Sequence, residues 1–571
     1  MGTGARLDSW KAIAAYLKRD ESTVRRWEKE GLPVHRHLHA KKASIYAYSS
    51  EIDAWWNEGR TRLEGVKPVA GPRRRLAWLL AIGSILLAAG AGWILLGDRL
   101  IDRPATAEIT SIAVLPLENL SGDPQQDYFA DGITEALIAE LGRIKALRVM
   151  SRSSVMTYKG KKKPLEQVAR ELNVDALVEG AVVREGSRVR VTVQLVRMQP
   201  ERQLWAERYE HEISSILVLQ ADLARAIAGE VRAKLTPPEQ VLLSRVRAVD
   251  PQAYEAYLKG RFEWNKATPE GLRKARESFE ESIRKDPNFA PAYAGLADAY
   301  AWSYRSPGPT LQPPHAVFPK AKSAVLKALE LDDTLAEAYA SLGYIKEAYD
   351  WDWEGAERAY RRAIELNPSY ATAHHWYALY LSIPRRFEEA FAHIRRAEEL
   401  DPFSRRVRNG KGWLYMWSGQ FDRAIQQAQS MLELERDFGE AHYAMGLAYI
   451  GNGMYEEAIA SHRRAIAQSG ESTRSLVFLA HALGKAGQTT EALKIIADLT
   501  ERARHNYVAG YLVAIAHVGI GNNEEALRWL EHAFEQRAEL GNLNRGAYFW
   551  LQPLHSDPRY QDLLRRLRLP A

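Results

Sequence analysis

The sequence predicts a multidomain chain: a small basic helix-turn-helix head with a β-hairpin, one transmembrane helix, a mixed α/β domain and an all-α repeat solenoid. Three observations predict it. Ala356, Ala390, Ala424, Ala458, Ala492 and Ala526 recur every 34 residues, the length of one helix pair. The run LAWLLAIGSILLAAGAGWILL, Leu76 to Leu96, holds no charged residue. Up to Arg75 there are 16 Lys+Arg against 9 Asp+Glu, and after it 62 against 63. The basic excess therefore lies at the N-terminal end, where an anionic partner is to be sought. At 571 residues the chain exceeds one hydrophobic core. The absence of cysteine excludes disulfides, zinc–thiolate sites and thiol catalysis.

The head comes first. LDSWKAIAAYLKRDESTVRRWEKEGL reads as two short helices around a tight turn. Asp8 or Ser9 caps the first, and Ile13, Ala14 and Leu17 form its apolar stripe. Asp20 or Ser22 caps the second, in which Val24 and Trp27 share an anchoring face. The opposite face presents Ser22, Arg25, Arg26 and Lys29, as a major-groove reader requires. HRHLHAKKASIYAY alternates, with a charged break at Ala40–Lys42, and reads as a β-hairpin. SSEIDAWW starts a third helix.

His35, His37 and His39 alternate along that hairpin and admit three readings: a DNA-contacting wing, plain surface, or a zinc or copper site. The wing reading also uses Arg36, Lys41 and Lys42, which the metal reading leaves unexplained. Three ligands on one flat strand do not surround a metal, and no Asp, Glu or Cys is expected nearby to complete a site. The expected DNA-binding residues are Ser22, Arg25, Arg26, Lys29, Arg36, Lys41 and Lys42, with no metal site and no cofactor. Helix-turn-helix, hairpin and helix together resemble the winged helix-turn-helix of the excisionase and MerR class. STVRRWEKEGLP carries most of that resemblance, and the domain is placed at residues 6–60.

A linker at 61–75 ends in Arg73–Arg75 and precedes the uncharged run at 76–96. As a helix that run is about 31 Å long, enough to cross a hydrocarbon core. Trp78 and Trp93 lie near its ends, and the arginines before it place the N-terminus in the cytoplasm. The expectation is a single-pass protein of the cell inner membrane with its C-terminal domains outside. Ser84, Ala88 and Gly92 form a small-residue stripe, a pairing surface for a homodimer. A second linker occupies 97–108.

From 109 to 237 helices and strands alternate. ITSIAVLPL and LRVMSR read as strands, and DALVEGAVVREGSRVRVTVQLVRM as two strands around REGS, with ERQLWAERYE as another. DYFADGITEALIAELGRI, PLEQVARELNV and SSILVLQADLARAIAGEVRAKL read as helices. SIAVLPLENLSGDPQQDYFADGITEAL and ALVEGAVVREGSRVRVTVQL resemble the TolB-like N-terminal domain, which implies an envelope domain without an identified chemistry. Asp123, Asp127, Asp131 and Glu135 lack the glycine and spacing of a calcium loop and are expected as turn and helix-cap residues.

From 250 to 570 the alanine ladder continues, with Ala275 and Ala321 upstream. The small residue lets paired helices approach, Tyr360 and Ile394 four on fill the joint, and Pro368 and Pro402 stop the helix. EGAERAYRRAIELNP, EEAFAHIRRAEELDP and AHYAMGLAYIGNGMY resemble the tetratricopeptide family, in about eight repeats. The resemblance implies protein or peptide partners along a concave face. Trp376, Trp413 and Trp417 either line that face or belong to the inter-repeat core.

No GxxxxGK[ST], HExxH or GxSxG motif occurs in a usable context, so no enzyme is expected. The sequence points to a membrane-anchored transcriptional regulator whose outer repeats sense a protein, peptide or envelope state. The alternative is an envelope scaffold whose head docks a cytoplasmic protein.

Overall fold

The computed structural model describes residues 4–28, 32–39 and 42–60, and from 108 onward all but 232, 234, 245–247, 267, 304–311, 435–436, 546–547 and 570–571. It forms two compact units, Met1–Ala105 and Thr106–Ala571.

The first unit contains β1 (Arg6–Leu7), α1 (Trp10–Leu17), α2 (Glu21–Glu28), β2 (His35–His39), β3 (Lys42–Tyr48) and α3 (Ser49–Arg60). Ser9 caps α1 by accepting from the Ala12 amide, and Lys18 ends it in the left-handed region. β2 and β3 pair antiparallel with His35 opposite Tyr46 and His39 opposite Lys42. β1 adds a third strand on the other side of β3. Ile13, Ala14, Val24, Leu32, Ala47 and Ile52 form the core, with Trp27 and Trp55 packed against it.

The second unit opens with a six-stranded sheet. Its strands are β4 (Ser111–Val114), β5 (Glu118–Asn119), β6 (Arg148–Val149), β7 (Ala176–Glu185), β8 (Arg188–Met198) and β9 (Glu201–Glu212). The order is β6-β4-β7-β8-β9, with β5 beside β7. β4 is parallel to its neighbours, while β7, β8 and β9 run antiparallel. α4 (Asp127–Gly142), α5 (Leu165–Leu172) and α6 (Ile216–Glu230) cover the sheet. Each expected strand and helix of this region is present, and the REGS turn holds Gly186 at φ +63°.

Among the described residues eight helix pairs follow, from Pro251–Asn265 with Pro269–Lys285 to Gly510–Gly519 with Asn523–Glu535. The ladder alanines are buried, at 0% exposure except Ala424 at 4%. Tyr360 and Ile394 are fully buried, as a joint-filling role requires. The α/β region packs directly on the array. The Ser369 hydroxyl donates to the Leu147 carbonyl, Ser154 donates to Asp401 at 2.6 Å, and Arg184 pairs with Glu255 at 2.9 Å.

Two expectations are corrected. Among the described residues no helix is long and apolar enough to cross a membrane. This overturns the transmembrane helix in the expected fold and the single-pass inner-membrane placement built on it. The physical reason is amphipathicity. Even the 18-residue helix Pro314–Leu331 carries Lys320, Lys322, Lys327 and Glu330, because repeat helices bury one face and keep the other wet. The chain is mainly a helical solenoid with small sheets. The run Leu76–Leu96 and its Ser84–Ala88–Gly92 stripe lie outside the described residues.

Candidate functional site

The exposed side of α2 is fixed by its cap. Asp20 accepts from the Thr23 amide at 2.8 Å, from the Thr23 hydroxyl and from the Ser22 hydroxyl. These hydrogen bonds, that from Ser22 foremost, hold its carboxyl well below the usual carboxylate range. On the inner side Val24 is fully buried and Trp27 packs 6.0 Å from Trp55 and 5.5 Å from Trp56. Ser22 and Arg25 are exposed. The Arg25 guanidinium lies 5.1 Å from the Trp10 ring and 3.7 Å from Glu21.

Arg36, on β2, donates to Glu28 at the end of α2 at 2.8 Å, so hairpin and helix are bridged there. Lys29 and Lys41 lie outside the described residues, as do the side chains of Arg26, Lys42, His37 and His39. His35 donates through Nε2 to Glu51 of α3 at 2.7 Å and stacks 5.2 Å from Tyr46. A carboxylate therefore does lie beside this histidine, brought from a distant part of the sequence by the fold. Arg6 was not expected. Its guanidinium sits 4.2 Å from the Tyr46 ring, but a two-residue strand carries no periodic signal.

In the second unit Asp123 caps a short turn, as expected. Asp127 accepts from Asn119 at 2.9 Å and pairs with Lys159 at 3.2 Å. Asp131 and Glu135 are not cap residues. Asp131 pairs with Lys159 at 2.7 Å, and Glu135 with Arg152 at 3.1 Å. Glu135 also accepts from Arg261 of the first repeat at 2.8 Å. Burial works against ionisation of Glu135, but Arg261 and Arg152 hold its pKa below the ordinary value. Glu135 thus joins α4 to the array, while the partners of Asp131, Lys159 and Arg152, belong to the α/β region itself. A cavity of about 520 Å³ lies at this join. Within it, burial pushes Asp298 up to about 6.

A second cavity, of about 590 Å³, is lined by inner helices of the array, with Trp376, Trp413 and Trp417 in its wall. Trp376 and Trp417 are also buried, at 7% and 8% exposure, within the core of the array. The C-terminal segment supplies another wall. Arg545 donates to Glu347 at 2.9 Å and to the Leu379 carbonyl at 3.1 Å. Asn544 donates to the Ile383 carbonyl at 2.7 Å, and Trp550 packs 4.7 Å from Phe478. These contacts reach several repeats and leave no trace in the 34-residue period.

Residues 108–226 match the family described as HilA/YgeH-like transcriptional regulator, second domain, where the sequence reading expected a TolB-like domain. Residues 449–514 match a tetratricopeptide repeat family. "Putative adenylate cyclase 3" of Rhizobium meliloti (strain 1021) is 38% identical over 187 residues, covering 33% of this chain and 32% of that protein. "Transcriptional regulator HilA" of Salmonella typhimurium is 25% identical over 267 residues, 46% of each. The matches thus span less than half the length of these relatives, 32% and 46%. A solved tetratricopeptide repeat protein from Parabacteroides merdae is 16% identical, with a TM-score of 0.35, over 49% of this chain and all of that one. One of these relatives thus bears a regulator's name and another a cyclase's. The chain combines a HilA/YgeH-like regulator domain with tetratricopeptide repeats.

Proposed function

We propose that this chain is a DNA-binding transcriptional regulator whose repeat array receives a protein or peptide partner. Its division is a winged helix-turn-helix head at 6–60, an α/β domain at 109–237 and the array at 250–570. The observation that carries the reading is α2. Val24 and Trp27 anchor it, while Ser22 and Arg25 stand exposed, in a head that ends in a hairpin and a third helix. That is how a recognition helix presents base-reading side chains with a wing beside it. The match to a regulator domain supports the same reading. Arg26, Lys29, Arg36, Lys41 and Lys42 supply further DNA contacts, mainly to phosphate.

The test is selection and sequencing of DNA fragments bound by the full chain, followed by titration at several salt concentrations. A recurring sequence and salt-sensitive affinity are expected. Arg25→Ala is expected to cost about 1–3 kcal/mol and to relax preference at one base position. No salt-sensitive affinity for any DNA would leave the rival, a head that docks a protein.

A further inference from the structure

The aromatic cavity of the array suggests a ligand that DNA recognition does not require. At about 590 Å³ it falls within the roughly 300–1,000 Å³ of small-molecule sites. An extended peptide needs an open channel along the inner helices. Here Asn542, Arg545 and Trp550 of the chain's own C-terminal segment form part of the wall. Arg545 is locked there by its buried pair with Glu347. That segment walls off a pocket on one stretch of the array.

Arg406 shares the pocket wall with Arg405, Arg474 and Arg545. It is exposed to the cavity and stacks 5.5 Å from the Trp264 ring and 5.0 Å from the Trp302 ring. Among the described residues no carboxylate comes within ion-pairing distance of it. Crowding by the cavity walls pushes its guanidinium below its ordinary range. Three acids act on it at longer range, and each accepts from another group: Asp401 from Ser153 and Ser154, Asp298 from Ser341, and Glu440 from the Asn409 amide at 2.9 Å. An aromatic box can also hold a cation, but a fixed guanidinium among the rings repels one. It presents planar donors suited to an oxyanion.

We propose that this pocket binds a small anionic molecule with a flat apolar body, its carboxylate or sulfonate on Arg406 and its rings among the tryptophans. The experiment uses the full chain without DNA, so its outcome is independent of the regulator reading. The probe is 1-anilinonaphthalene-8-sulfonate, followed by its fluorescence. Indole-3-acetate and tryptamine, one ring system with opposite charges, compete for it. The acid is expected to displace the probe, and the amine to need at least about tenfold more. Arg406→Gln is expected to weaken the acid by about tenfold and erase the preference, while Arg406→Lys keeps part of it. Trp413→Ala is expected to weaken the acid as well. Equal displacement by both indoles, no probe binding, or an acid preference that survives Arg406→Gln would overturn the proposal. If Arg406→Gln loses its helical circular dichroism, the two indoles on the unaltered chain decide the matter alone.

Discussion

In the head, among the described residues, only apolar side chains are buried, and its ion pairs lie at the surface. The side chain of Arg36 is 60% exposed and that of Arg25 57%. In Thr106–Ala571 polar groups go inside. The paired side chains of Arg545 and Glu347 are 6% and 5% exposed, and His462 is wholly buried. The difference matters because water screens surface charges and is absent around buried ones. A surface pair contributes about 0–1 kcal/mol, whereas breaking a buried pair costs about 3–5 kcal/mol. The head can therefore exchange partners for its cations at little cost, while the second unit holds charged and titratable groups where water does not screen them.

The largest test of this contrast is acid. Burial lowers His462 from 6.5 to about 3, and His374 and His481 to about 4. Each is neutral in the fold and takes up a proton on unfolding below pH 6.5. The unfolded state then binds more protons, so stability falls as pH drops from 6.5 towards 4. The slope is about 1.4 kcal/mol per pH unit for each histidine. Urea unfolding of the array, followed by tryptophan fluorescence between pH 7 and pH 5, should show the midpoint falling. A flat profile would mean that these histidines are not buried in solution.

Next in size is the C-terminal lock. Arg545→Met leaves Glu347 buried with, among the described residues, Tyr360 as its remaining donor, and should cost about 3–5 kcal/mol. The double change Arg545→Met, Glu347→Leu should recover much of that loss, since neither charge then remains unpaired. Thermal unfolding of the three chains measures both steps. A double variant as unstable as the single would show that the segment is held by packing and not by the pair.

Much of this was legible in the sequence, for stated reasons. The ladder from Ala356 to Ala526 shows because helix pairs tolerate only a small residue where they touch. The α/β strands show because their alternation is long enough to count. The turn before α2 shows through Asp20, whose carboxylate caps that helix. β1 and β5 were missed because two residues carry no period and are strands only by virtue of partners in β3 and β7. Asp131 and Glu135 look like any acids of an amphipathic helix, and their cations come from Arg152, Lys159 and Arg261. The pocket was hidden for the same reason: Trp264, Trp302 and Trp550 are far apart in sequence, and each alone looks like core.

The smallest effect on stability should carry the most information about the head. Arg36 and Glu28 form an exposed pair, so Arg36→Ala should change the head's stability by less than about 1 kcal/mol. If Arg36 serves a phosphate, it must first leave Glu28, and the acid competes with the DNA backbone for the same guanidinium. Glu28→Gln should then tighten binding to all sequences alike, because it removes that competitor and one negative charge near the phosphates. Arg36→Ala should weaken binding to all sequences alike and lower the salt slope by about 1. Salt titrations of the full chain and of both variants on one selected DNA fragment separate these signs. If Glu28→Gln weakens binding while Arg36→Ala leaves the slope unchanged, the pair positions the hairpin and Arg36 does not touch phosphate.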